Sequence, residues 1–141
     1  MLMIERRHAV KPNFRKSPVP AYLNPKLSAE RRTRDLLSRM TLKEKTAQML
    51  CVWQQKASAL VDEQGNFDPP KARSWFRQRA GLGQVGRPGD AAGGRNAREM
   101  AELTNAIQKF FVENSRLGIP VIFHEECLHG LAEADATLEV S

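Results

Sequence analysis

Residues 96–124 hold the strongest constraint on how this chain of 141 residues can fold. Asn96 and Glu99 have the spacing of a capping box, in which each side chain satisfies a backbone N–H of the other's residue. Met100, Leu103, Ile107, Phe110 and Phe111 then recur at helical spacing, which predicts one buried face. Arg116 is expected in the last turn, where a cation suits the helix dipole. Gly118 ends the helix, Pro120 prevents its continuation, and Val121-Ile122-Phe123 is a short apolar run of strand formers. Upstream, Gly81 to Val85 is a second strand candidate, weakened by its glycines. Arg87-Pro88-Gly89-Asp90 and Gly93-Gly94 make a loop. Residues 82–124 thus predict strand, loop, helix, strand, a βαβ unit with a parallel pair, and an α/β fold class.

After Phe123 the chain turns polar at once, through His124, Glu125, Glu126 and Cys127 to His129-Gly130. This is the pattern of a buried strand whose carboxyl end opens into a site, the place where parallel α/β folds bind ligands. Ionisable groups gathered there need water, each other or a ligand, because an unpartnered buried charge is costly. The residues alone leave several uses open. A histidine at a strand end also serves as a hydrogen-bonded core residue. A zinc helix needs two histidines at i and i+4. His124 and His129 are five apart, about 140° around a helix, so no metal is expected. Cys127 is expected to be a small buried residue.

Charge is distributed unevenly. Residues 1–45 hold 12 basic and 4 acidic residues, and the remainder 10 and 12. A basic N-terminal third is compatible with nucleic-acid binding, but its aromatics are only Phe14 and Tyr22, too few for base stacking. A solvated tail and helix face is the simpler reading, and neither nucleic acid nor membrane is expected as a partner. Cys51 and Cys127 lack CxxC or finger spacing, so no disulfide framework or structural zinc site is indicated. The N-terminal residues contain no apolar core of a secretory signal, and no stretch is long enough to span a membrane; a cytoplasmic location is expected.

In chain order, residues 1–27 form an irregular basic tail punctuated by Pro12, Pro18, Pro20 and Pro25. Ser28 caps a helix over about 29–40, with Leu36, Leu37 and Met40 on its apolar side. Thr41-Leu42-Lys43-Glu44 is a second capping box, and Leu42, Thr46, Met49, Leu50 and Trp53 follow at helical spacing. Residues 54–68 are polar, with a turn at Gln64-Gly65-Asn66. Asp68 caps a third helix that starts at Pro69 and buries Ala72, Trp75, Phe76 and Ala80. GLGQVG at 81–86 mimics a dinucleotide fingerprint. That motif needs a strand before it and a helix opening on it, and here a helix precedes and a loop follows, so no cofactor is expected.

Three phrases, RDLLSRMTLKEKTAQM (34–49), GLGQVGRP (81–88) and NAIQKFFVENSRLGIPVIFHEECLHG (105–130), resemble in order and spacing the N-terminal part of glycoside hydrolase family 3. The likeness covers roughly residues 22–137. It implies part of a (β/α)₈ TIM barrel: lead-in helices and about the first two barrel strands over 28–137, then a truncated end at 138–141. It implies a retaining, exo-acting hydrolase of β-linked glycosides or oligosaccharides, of the β-glucosidase and β-xylosidase type. In that family an acid three positions before the His-Gly pair contacts sugar hydroxyls in the first subsite, which here is Glu126, before His129. A carboxylate suits that task because it accepts two charge-assisted hydrogen bonds. The family also has Asp at this position, and the longer Glu126 is shared with its xylosidase-like branch. His124, Glu125 and His129 are expected as partners of that acid or walls of the site.

A retaining glycosidase needs two carboxylates about 5 Å apart across the sugar. In the family both lie on later strands, so neither role is carried over to any acid of this chain, which is expected to be inactive by itself. Two other readings stay open at this point, a stand-alone sugar-binding or interaction module and a basic nucleic-acid-binding protein. A closed barrel takes about 250 residues, and its strands are covered on both faces only on closure. The isolated chain is therefore expected to be helical but loosely packed and prone to aggregate. Thermal unfolding followed by far- and near-UV circular dichroism should give a strong far-UV signal, a weak near-UV signal and a broad transition. A sharp, concentration-independent transition in a monomer would show that these 141 residues complete a domain.

Overall fold

A computed structural model of the chain describes residues 19–76 and 80–127. The chain divides into two compact units, Met1–Ser38 and Arg39–Ser141. In the first, a 3-10 turn at Ala21–Leu23 precedes helix α1 (Ala29–Arg39). Ser28 caps α1 as expected, its hydroxyl accepting the Arg31 N–H at 3.3 Å. The Tyr22 N–H donates to Asp35 at 3.0 Å, and Arg32 donates to the Tyr22 carbonyl at 2.9 Å, which ties the turn to the helix. The expected apolar side of α1 is only partly covered: no residue of the helix is buried, and Leu37 is exposed.

The second unit runs α2 (Leu42–Ala47), β1 (Cys51–Val52), α3 (Lys56–Ala59), α4 (Pro69–Phe76), β2 (Gln84–Gly86), a 3-10 segment (Pro88–Gly93), α5 (Ala97–Asn114) and β3 (Ile122–His124). The strands form one parallel sheet in the order β1-β2-β3, with Val52 beside Val85 and Val85 beside Phe123. The expected βαβ unit is present as β2, α5 and β3, and the sheet has a third strand, β1, where helical spacing predicts a continuing helix.

That helix stops at Ala47. Leu42, Met49, Leu50 and Trp53, the expected buried face, are all exposed, while Glu44 and Ala47 are buried. Pairing with β2 decides the matter. The Gln84 N–H donates to the Leu50 carbonyl at 3.0 Å, and an extended β1 carries Val52 into the core. Gly83 makes the close fit possible, since a Cβ there would stand 2.0 Å from the Gln48 carbonyl oxygen. α3 was also missed, because a single turn of helix in a polar stretch has no periodicity to show. The turn at Gln64-Gly65-Asn66 is present, with Gly65 at φ +77°, inside an antiparallel bridge of Val61 with Phe67. Asp68 caps α4 through the Lys71 N–H at 2.8 Å. Ala72 and Phe76 are buried as expected, Trp75 only half so, and Ala80 is exposed at φ +59°.

α5 buries Leu103, Ile107, Phe110 and Phe111 against Val52, Val85 and Val121 of the sheet layer. Burying a side chain the size of Ile107 contributes roughly 1.5–3 kcal/mol. Only one face of the sheet is covered this way. On the other face Cys51, Ile122 and His124 are exposed, Ile122 by 64%. The free edge of β3 is partly closed by Gln108, whose side-chain amide accepts from the Val121 N–H at 2.7 Å and donates to the Val121 carbonyl at 3.1 Å. That amide satisfies backbone groups that would otherwise invite another strand.

Arg116 is not in the last turn of α5, which ends at Asn114. It reaches instead to Glu44, donating from Nε to Oε1 at 2.8 Å and from NH2 to Oε2, and to the Arg39 carbonyl at 2.8 Å. Glu44 also closes the Thr41 capping box. The Arg116 hydrogen bonds bring its pKa from 4.5 down to about 2. A carboxyl depressed on folding stabilises fully above its unfolded value, and the contribution fades as pH falls through the folded one. Stability should therefore decline between about pH 4.5 and about pH 2. Glu44→Gln keeps a capping side chain, lowers stability at neutral pH and flattens that decline. Thermal unfolding of both proteins across the acid range checks this, and equal slopes would refute it.

Candidate functional site at the carboxyl end of the sheet

Because the three strands are parallel, their carboxyl ends deliver side chains to one end of the sheet. β3 supplies His124, Glu125 and Glu126, β2 leads into Arg87 and Asp90, and β1 leads through Trp53 to Lys56. The register places His124 opposite Gly86. Gly86 has no side chain, so the His124 ring crosses the space where a Cβ would stand 3.0 Å from its Cε1. The imidazole Nε2 thereby comes within 3.5 Å of the Cys51 thiol on β1.

Arg87 is the hinge of the cluster. Its backbone is left-handed at φ 48°, and its N–H donates to the His124 carbonyl at 2.8 Å, extending the β2–β3 ladder by one bond. The turned backbone sets the guanidinium facing Asp90, with Nε 2.9 Å from Oδ2 and NH2 3.0 Å from Oδ1. NH1 lies 3.9 Å from Glu126 Oε2, a loose pair on a half-exposed carboxylate that contributes little to stability. Glu125 is half-buried and accepts the Gly89 N–H at 3.2 Å, so it braces the loop after β2.

Lys56 is buried beneath them. Its ammonium donates to the Trp53 carbonyl at 2.8 Å and the Gly86 carbonyl at 3.1 Å, pinning the ends of β1 and β2 together. Burial holds it below the ordinary lysine range, against the opposing pull of Asp90 and Glu125.

Of the residues singled out in the sequence, His124, Glu125 and Glu126 are brought to this end of the sheet, and His129 lies outside the described residues. Cys127 is exposed rather than buried, because it lies beyond the end of β3, where no element among the described residues covers it. Lys56, Arg87 and Asp90 were missed. The two last were legible: they follow β2 as His124 to Glu126 follow β3. Lys56 had no local signal. Among the described residues no three His, Cys, Asp or Glu side chains are grouped to hold a metal ion, and no helix is long and apolar enough to cross a membrane. The cluster mixes carboxylate acceptors with guanidinium donors, a set that can serve a neutral polyhydroxyl ligand, whose hydroxyls both donate and accept.

No protein-family model matches the chain. Two curated proteins do. A putative beta-xylosidase of Formosa agariphila is 32% identical over 117 residues, 82% of this chain and 15% of that protein. Beta-glucosidase C of Emericella nidulans is 31% identical over 120 residues, 85% of this chain and 18% of that protein. The chain thus spans less than a fifth of the length of these relatives, and over most of its own length it is related to proteins named as glycosidases.

Proposed function

We propose that this chain forms the opening of a (β/α)₈ barrel of glycoside hydrolase family 3, and that the carboxyl end of its sheet contributes to the first sugar subsite for a β-linked glycoside. The observation that carries the proposal is Glu126 at the mouth of β3, half-exposed and faced by Arg87 from the end of β2. Three parallel strands in consecutive order, with α5 on one face and the other face open, support the barrel reading. The relatives' names support a glycoside substrate.

In this reading Glu126 accepts hydrogen bonds from two sugar hydroxyls, and Arg87 stands beside its carboxylate at the mouth. Glu125 has a different task, since its carboxylate is engaged by the Gly89 amide and holds the Arg87–Asp90 loop. His124 forms a wall, and His129 is assigned to the same rim by the family resemblance. None of these residues is the nucleophile or the acid/base, which the family carries on later strands.

The test is a graft of residues 39–127 into a full-length relative. Glu126→Ala should lower kcat/KM by roughly 10²-fold, as loss of charge-assisted contacts worth about 1.5–3 kcal/mol predicts. Glu125→Ala should lower kcat/KM less and reduce the melting temperature more. Equal losses of kcat/KM would show that the acidic residue has been aligned to the subsite wrongly.

A further inference from the structure

The amino end of the sheet carries a second pocket, of about 400 Å³, within the size range of small-ligand sites. Its position follows from the chain path. Phe76 ends α4, Phe110 and Phe111 lie in the last turn of α5, and Ser115 and Arg116 come before β3. It is therefore remote from the carboxyl-end cluster, and it shares no residue with it.

The floor is aromatic. Phe76 meets Phe111 edge to face with ring centres 4.9 Å apart, and Phe111 meets Phe110 at 5.3 Å. The rim is charged, and its charges do not cancel. Glu44 and Arg116 neutralise each other. Arg73 is left over: it donates to the neutral Asn114 side chain at 3.2 Å, its guanidinium stands 5.5 Å from the Phe110 ring centre, and no carboxylate among the described residues pairs with it. In the lining of the same pocket, the Ser115 hydroxyl is shielded from water and has no hydrogen-bond partner among the described residues. A buried hydroxyl is ordinarily paired, so an acceptor supplied from outside would complete it.

We propose that this pocket binds a small aromatic carboxylate, its carboxylate held by Arg73 and the Ser115 hydroxyl and its ring against Phe76 and Phe110. The charge balance selects the ligand. A cation is repelled by Arg73, and among the described residues a dianion finds only one unmatched positive charge. The carbonyl ends of α4 and α5 also face this way, and helix carboxyl ends disfavour anions. Two of those carbonyls are already occupied, Phe110 by the Asn114 side-chain amide at 2.9 Å and Phe111 by the Ser115 N–H at 3.1 Å. A full guanidinium charge in hydrogen-bond contact outweighs the partial charge that remains.

The probe pair is 4-fluorophenylacetate and its neutral amide, titrated against the full chain with fluorine NMR. The acid should bind saturably, and the amide at least about tenfold more weakly, because charge-assisted contacts are roughly twice as strong as neutral ones. Arg73→Gln should weaken the acid by a similar factor and leave the amide unchanged, whereas Arg31→Gln in the first unit should alter neither. Far-UV circular dichroism monitors whether the variants keep their helices. Should Arg73→Gln unfold the chain, the acid–amide comparison on the unaltered protein still decides. Equal binding of acid and amide, no saturable binding of the acid, or full retention of acid binding by Arg73→Gln would overturn the proposal.

Discussion

Everything that can be said of a site in this chain depends on one-sided burial of a three-stranded parallel sheet. β2 is central and only three residues long, yet it pairs on both edges, and Val85 in its middle is fully buried. α5 supplies the apolar cover through Leu103, Ile107, Phe110 and Phe111. Parallel strands are ordinarily covered on both faces. Here the face that carries Cys51, Ile122 and His124 is open, which leaves that face ready for further strands or side chains and exposed to water in their absence.

The parallel sense of the strands separates two chemistries by the length of the strands. At the amino end, Glu44 and Arg116 join segments 72 residues apart and bring α2 to the approach of β3. At the carboxyl end, Lys56 performs the same service for β1 and β2 through backbone carbonyls. Each is a buried or half-buried charge that joins a local partner to one brought in by tertiary contact. Removal of one partner from such a group costs more than the group contributes in balance, because the remaining charge or carbonyl loses both water and its protein partner.

At the carboxyl end, charges of both signs are interleaved, Arg87 facing Asp90 and Glu126. Within that cluster the structure separates two neighbouring acids that sequence alone treats alike. Glu125 is turned inward to the Gly89 amide, and Glu126 outward beside Arg87.

The sequence by itself determined whatever depends on near neighbours. Both capping boxes, the Ser28 and Asp68 caps, the turn at Gly65 and the buried stripe of α5 are all governed by contacts a few residues long, and each was legible; the stop expected at Gly118 falls earlier, at Asn114. The polar run after Phe123 was legible too, because a strand that ends in charged residues must open to solvent or a ligand. Only the tertiary structure decided the rest. β1 exists because Gly83 lets the Gln48 turn lie against the approach to β2, which outweighs a helical spacing that ran on to Trp53. Arg116 lies beyond the end of α5 and reaches to Glu44, 72 residues away, and Lys56 finds the Gly86 carbonyl 30 residues away. Partners so distant in the chain carry no periodic or local signature, so their pairing is set by packing and by the need to satisfy buried polar groups.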